Sequence, residues 1–347
     1  MEQLLFALKR ILNIGYLKII IVYRLGAKQE LTKLRISNLI NDFLNPVQAG
    51  NVRLAVILLF FQIVLTICIA GLVKQLAPDV PILFILFCRY FFCLPLLLLL
   101  GWFQRGRNLF QINQTGVLVK RIITGLLGLY FWFLAVIYLT LSTATVLSQT
   151  MPIFITLLAP LLTSETIGVR RISAVFIGFL GVVILINPSW GGSSAYPALG
   201  LLFGLSAPFF GALMFIFLRV LGSGDAPIST SIWHNLMGSI LFGFLFLIKG
   251  EGLPDLSFDN AITWTFLIVI GVASSFQQFT MALSHKLASA TVLAPVHYSS
   301  IPVSVVIGIV FFGDNIDLRF IVGTVIIIGS TWYIFLRERK KDLVDSK

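Results

Sequence analysis

Ten predominantly apolar segments follow one another along this chain, at 54–76, 81–103, 122–140, 144–162, 172–186, 198–218, 231–248, 262–284, 288–312 and 320–336. A helix that crosses a bilayer needs about 20 such residues. The breaks are short and rich in turn formers or charge, as in Ala77-Pro78-Asp79-Val80-Pro81 and Gly222-Ser223-Gly224-Asp225-Ala226-Pro227. Only 11% of the residues are charged and 58% are hydrophobic, whereas a soluble domain carries about 25% charged residues. No single aqueous core takes up that much apolar surface, and one anchor would not raise the whole-chain fraction so far. The pattern predicts an all-α membrane protein with ten transmembrane helices.

The net charge is +11. Its placement points to a membrane and not to nucleic acid. With the N-terminus in the cytoplasm, 21 of the 25 Lys and Arg fall on the inner side. Lys74, Lys249 and Arg319 fall outside, and Arg89 alone lies within a span. Basic residues concentrate on the cytoplasmic side of membrane proteins, and one miscounted helix would swap every later loop. The sequence therefore predicts a multi-pass protein of the inner (plasma) membrane with both termini cytoplasmic. Its expected partners are the lipid bilayer and a small-molecule substrate, and it is compatible with a homodimer.

Residues 1–53 form a basic arm. Leu5, Leu8, Leu12, Tyr16, Ile19 and Tyr23 recur at helical spacing, but Lys9, Arg10, Lys18 and Arg24 interrupt every run long enough to span. The arm lacks a small-residue cleavage site and is poor in serine, which argues against a secretory signal or a transit peptide. An amphipathic helix on the anionic cytoplasmic leaflet fits it. Residues 337–347 form a short basic tail.

The chain also repeats itself. Ala144-Thr145-Val146-Leu147 returns as Ala290-Thr291-Val292-Leu293. Shifting residues 125–147 by 146 positions also pairs Gly125 with Gly271, Phe133 with Phe279 and Leu141 with Leu287. This predicts two five-helix units, 54–190 and 191–336. Five is odd, so the second unit enters the membrane inverted relative to the first. Inverted repeats are used for alternating access around a site between them. These features resemble the drug/metabolite transporter superfamily in its EamA-like branch. The first half carries Ala144–Leu147, then Pro152, Glu165, Arg170, Gly178 and Gly181. The second carries Ala290–Leu293, then Pro302, Asp314, Arg319, Gly323 and Gly329. The resemblance covers roughly 54–336 and implies a ten-helix transporter. Asp314 departs from it, since the family usually has Glu there.

Arg89 reads either as a clamp for a carboxylate or phosphate, which a guanidinium can bind bidentately, or as a structural arginine on freed carbonyls. All Asp and Glu lie outside the ten segments, so a proton carrier would have to be His234 or His297. In the repeated pair of spans, Thr145, Ser148, Gln149, Pro152 and Thr156 share one helix face. Thr291, Pro295, Tyr298 and Pro302 share another, with His297 and Ser299 beside them. Polar faces avoid lipid, so these are expected to line a cavity between the halves. Trp132 and Gln278 align under the shift, with Gln277 adjacent. Asn235 on span seven joins them, and Gln62 on span one is a weaker candidate. The expected substrate site is Arg89, Trp132, Thr145, Gln149, Asn235, Gln278, His297 and Tyr298.

Gly178, Gly181, Gly323 and Gly329 are expected to make close helix contacts. Glu165 with Arg170 and Arg171, and Asp314 with Arg319, are expected to pair at span ends. Cys68, Cys88 and Cys93 have no metal-ligand spacing, and no cofactor or metal is expected. An intramembrane enzyme would need a nucleophile–base pair or metal ligands at depth, and Ser299 near His297 is the only hint of one. The sequence thus points to a transporter of a small organic metabolite, amino-acid-like or carboxylate-bearing. An exporter of hydrophobic drugs or of a lipid-like cargo is the alternative.

Overall fold

The computed structural model describes residues 52–162, 169–186, 197–221, 224–250, 261–287, 293 and 296–345. The N-terminal arm up to residue 51, Glu165, Thr291 and Pro295 lie outside the described residues. All regular structure among the described residues is helical. The α-helices are α1 (Val52–Leu76), α2 (Ile82–Arg105), α3 (Thr115–Tyr138), α4 (Leu141–Ser148), α5 (Met151–Leu162), α6 (Val169–Ile186), α7 (Ala198–Leu221), α8 (Pro227–Lys249), α9 (Ala261–Leu287), α10 (Ser300–Phe312) and α11 (Leu318–Asp345). A one-turn 3₁₀ segment, Gly106–Phe110, follows α2.

Helix is the expected answer to this composition, because a spanning backbone must satisfy its own hydrogen bonds. The boundaries follow local rules. Pro227 opens α8 at its first turn, where a missing N–H costs nothing. Gly250 and Gly313 close α8 and α10 in the left-handed region, at φ 61° and 66°, which a side chain would disfavour. Seven helical stretches among the described residues are long and apolar enough to cross a bilayer, and Ile172–Ile186, Ser300–Phe312 and Leu318–Ile334 are shorter apolar helices. The large apolar side chains left on the outside, such as Phe176, Leu247, Val310 and Phe311, are the surface that lipid covers.

Two departures from the sequence expectation matter. The third span starts at Thr115 and not at residue 122, so Arg121 lies inside α3 and is buried at 7% exposure. Arg89, at 8%, is therefore not the only buried cation. The fourth segment is also not one helix. It breaks between α4 and α5, where the Gln149 and Thr150 amides donate back three residues, to Val146 and Leu147. Pro152 has no N–H to carry the α-helical ladder across. The ninth segment behaves similarly. Its regular helix α10 begins only at Ser300, after a turn at Tyr298–Ser299.

Packing runs between the halves. The main partner of α1 is α9, of α2 is α8, of α3 is α7, of α4 is α10 and of α6 is α11. Exchanging the halves turns the α1–α9 pairing into the α3–α7 pairing and leaves the α2–α8, α4–α10 and α6–α11 pairings unchanged, while α5 packs chiefly on α7. These five pairings are thus the same after the swap. The repeated glycines obey it too. A Cβ on Gly125 in α3 would lie 2.8 Å from the His234 ring of α8, and one on Gly271 in α9 would strike Phe92 of α2. Gly181 and Gly323 bring α6 and α11 together backbone to backbone, since a Cβ on Gly323 would lie 2.7 Å from the Gly181 carbonyl. Gly178 packs on Ile153 and Ser330, but Gly329 faces open space and makes no close contact.

The bundle ends are tied across the halves. Asp314, just after α10, accepts hydrogen bonds from the Ser142 amide (3.0 Å) and hydroxyl (2.8 Å) at the start of α4. It caps a first-half helix, in place of the expected pairing with Arg319. Lys74, expected on the outer side, sits in the last turn of α1 and, within the first half, donates to the Val136 and Leu139 carbonyls at the end of α3. At the opposite end of α3, Asp225 accepts from the Asn113 and Gln114 amides. Nearby, Arg105 donates to Ser229 and Trp233 to the Phe110 carbonyl.

Candidate substrate site

The interrupted fourth and ninth spans meet at a polar pocket. It is lined by Gln62, Ile63, Thr66 and Ile67 of α1, Trp132 of α3, Thr145, Ser148 and Gln149 at the α4 break, and His297 and Ser300 at the start of α10. Its volume is about 110 Å³. Gln149 Nε2 donates to Ser300 Oγ at 2.8 Å, which joins the two breaks directly. An interrupted helix exposes backbone groups and side chains that a continuous helix would keep for itself, so paired interruptions are a recurrent way to build a site at the membrane midplane. Thr145 and Ser148 return their hydroxyls to the helix, to the Leu141 and Thr145 carbonyls. Their oxygen lone pairs stay available as acceptors.

On α1, Gln62 and Thr66 are one turn apart and bonded at 2.9 Å. Gln277 of α9 donates to the same Thr66 hydroxyl at 2.8 Å. Gln62 Oε1 is buried without a hydrogen-bond partner. An unmet buried acceptor is costly, and beside a pocket it is an acceptor for an incoming donor. Trp132 packs against both large hydrophobic clusters, one centred on α2, α3, α8 and α9 and the other on α1, α3, α4, α7, α10 and α11.

Four of the expected site residues, Trp132, Thr145, Gln149 and His297, thus line one pocket. The other four do not line it. Asn235 of α8 and Gln278 of α9 pair with each other at 3.3 Å, and Gln278 also donates to Cys93 Sγ. Gln277 and Gln278 are adjacent in sequence, so α9 carries one polar side chain toward the pocket and the next toward α2. Arg89 lies one turn before Cys93. The Tyr298 hydroxyl donates to Thr331 of α11 at 2.7 Å. Sequence reasoning missed Thr66 and Ser300. Thr66 is a lone hydroxyl in an apolar run, Ser300 follows the singled-out Ser299, and only the fold shows that both face a glutamine.

A helical bundle with paired interruptions around a polar pocket, set in an apolar exterior, defines a membrane transporter. The chain belongs to the EamA-like transporter family, whose sequence pattern matches residues 53–187 and again 198–336. Among its relatives is a riboflavin transporter of Vibrio cholerae, 30% identical over 250 residues, covering 72% of this chain and 79% of that protein. A riboflavin transporter of Brucella anthropi is 26% identical, covering 75% and 89%. An S-adenosylmethionine uptake transporter of Rickettsia felis is 26% identical, covering 73% and 83%. A solved crystal structure at 17% identity shares the fold, with a TM-score of 0.56 over 82% of this chain and 98% of the other.

Proposed function

We propose that this protein moves a small organic metabolite across the inner membrane by alternating access, with the metabolite held between the two halves at the Gln149–Ser300 pocket. The observation that carries this reading is the hydrogen bond joining the two helix breaks, since a site on that seam is exposed whenever the halves part. In this reading the chain has ten spans in two inverted repeats, 54–190 and 191–336, with arm 1–53, tail 337–347 and both termini in the cytoplasm. The 110 Å³ pocket is smaller than the roughly 300–1,000 Å³ of sites for drug-sized ligands, so a whole metabolite enters only when the halves separate. Trp132 beside amides and hydroxyls suits a flat heteroaromatic ring with polar edges. The names of the relatives point the same way, since riboflavin and S-adenosylmethionine each contain such a ring system.

A second reading, export of hydrophobic drugs or a lipid-like cargo, has one observation behind it. An apolar groove of about 360 Å³ runs along α1 and α9, lined by Phe61, Leu65, Ile268, Val269, Val272, Ala273 and Phe276. Thermal unfolding of the detergent-solubilised protein against a panel of metabolites and drugs separates the two. A ligand that binds only the native state raises the midpoint by mass action. A heteroaromatic metabolite whose shift disappears in Gln149→Ala and Trp132→Ala supports the pocket. Shifts confined to apolar compounds and insensitive to both substitutions support the groove instead.

A further inference from the structure

We infer that α2, α3 and α8 enclose a second binding site, separate from the Gln149–Ser300 pocket, that takes an oxyanion. Arg89 of α2 and Arg121 of α3 are each more than nine-tenths buried, and the Nε of each is buried with no hydrogen-bond partner. Tyr90 lies beside them. The Arg89 guanidinium carbon is 5.0 Å from the Tyr90 ring centre, and the His234 ring of α8 meets Tyr90 edge-on at 5.6 Å. The Tyr90 hydroxyl and His234 Nδ1 are also buried without partners. Four unmet polar atoms thus come from three helices. The groups beside the two guanidiniums are neutral: the Thr230 carbonyl, 3.2 Å from Arg121 Nη1, and the Tyr90 side chain next to Arg89.

Arg89 and Arg121 are the charged side chains of this cluster, and Tyr90 and Cys93 beside them are neutral. No Asp or Glu among the described residues is part of the cluster. Asp225, the acidic residue nearest in sequence to this part of α8, is occupied by the Asn113 and Gln114 amides. Two buried cations without a counter-charge are expensive in a membrane, and unmet donors add to the cost. An oxyanion supplies both the charge and the acceptors, and guanidinium donors match its planar or tetrahedral oxygens. Two glycines let the His234 and Tyr90 rings pack closely into the cluster. A Cβ on Gly125 would lie 2.8 Å from His234, and one on Gly238 would lie 2.8 Å from Tyr90.

The oxyanion is either a free inorganic anion or the acidic group of a metabolite. The test uses the purified full-length protein and its thermal midpoint at constant ionic strength, with chloride replaced by inorganic phosphate or by a mono- or dicarboxylate. Phosphate or carboxylate is expected to raise the midpoint by about 3 °C or more over chloride. The rise should be lost in Arg89→Gln and Arg121→Gln and kept in Arg107→Gln, which removes an exposed charge on the adjoining 3₁₀ segment. A response to phosphate alone assigns the site to a free anion, and a response to carboxylates assigns it to an acidic metabolite. If either arginine variant does not fold, Tyr90→Phe decides. It removes an unpartnered hydroxyl, so it should keep the basal midpoint and weaken the anion response several-fold. No response in the wild type, or a response unchanged in every variant that folds, overturns the site. The Gln149 and Trp132 variants leave this response intact, so the two readings fail independently.

Discussion

Gln149 is placed where a single side chain reports on both halves. Its amide reaches Ser300 across 151 residues of sequence. Replacing it with alanine removes one hydrogen bond and leaves the Ser300 hydroxyl free. The loss should be about 1 kcal/mol, or up to roughly tenfold in substrate affinity measured by titration. A second residue-scale test concerns Ser142. Its hydroxyl and amide both serve Asp314, and Ser142→Ala keeps the amide. The thermal midpoint should fall by the equivalent of about 1–2 kcal/mol, and Asp314→Ala should fall further because it leaves both the Ser142 amide and hydroxyl without their acceptor. An Asp314→Ala protein as stable as wild type would show that this tie contributes nothing. The sequence showed the polar identity of these positions and hid their pairing. The apolar pattern leaves Arg121 just outside the third segment, and only the earlier start of α3 buries it.

Among the elements, α6 and α11 are the pair most dependent on side-chain absence. At Gly323 any Cβ meets backbone, at 2.7 Å from the Gly181 carbonyl and 2.9 Å from the Leu185 amide. Backbone cannot rotate away as a side-chain tip can, so Gly323→Val should cost about 1–3 kcal/mol or more. The matching change Gly329→Ala enters open space and should be neutral or slightly stabilising, because alanine is the better helix former. Unfolding of the two variants side by side checks the contrast. The sequence treated these glycines alike, since spacing alone cannot tell an inner face from an outer one. It placed most apolar helices within a few residues, because hydropathy carries their position. It missed the division of the fourth span into α4 and α5. Pro152 is plain in the sequence, but whether a proline bends or breaks a helix depends on the surrounding packing.

At the scale of the whole molecule, the duplicated stretch proved more informative than any single motif. Gly125 and Gly271, paired by the shift alone, occupy corresponding contacts in the two halves. The swap-invariant packing follows from the same duplication. Both ends of the bundle are tied between halves, by Asp314 at one end and by Asp225, Arg105 and Trp233 at the other. A cycle that opens the pocket to one side therefore has to release one set while keeping the other. Weakening the Asp314 tie should bias the protein toward one open form. Cysteine accessibility at Thr145 and Ser300, measured from each side of the membrane, reads that bias. Equal change on both sides would contradict it.

The capping of α4 by Asp314 also bears on how the chain is made. The carboxylate that completes a first-half helix is synthesised 172 residues after the serine it binds. The main partner of α1, α2, α3, α4 and α6 likewise lies in the second half. A ribosome that has made only α1 to α6 has released segments that still lack their chief neighbours. Maturation is therefore a late, collective event, and the two halves produced as separate polypeptides should each be degraded alone yet rescue one another when made in the same cell.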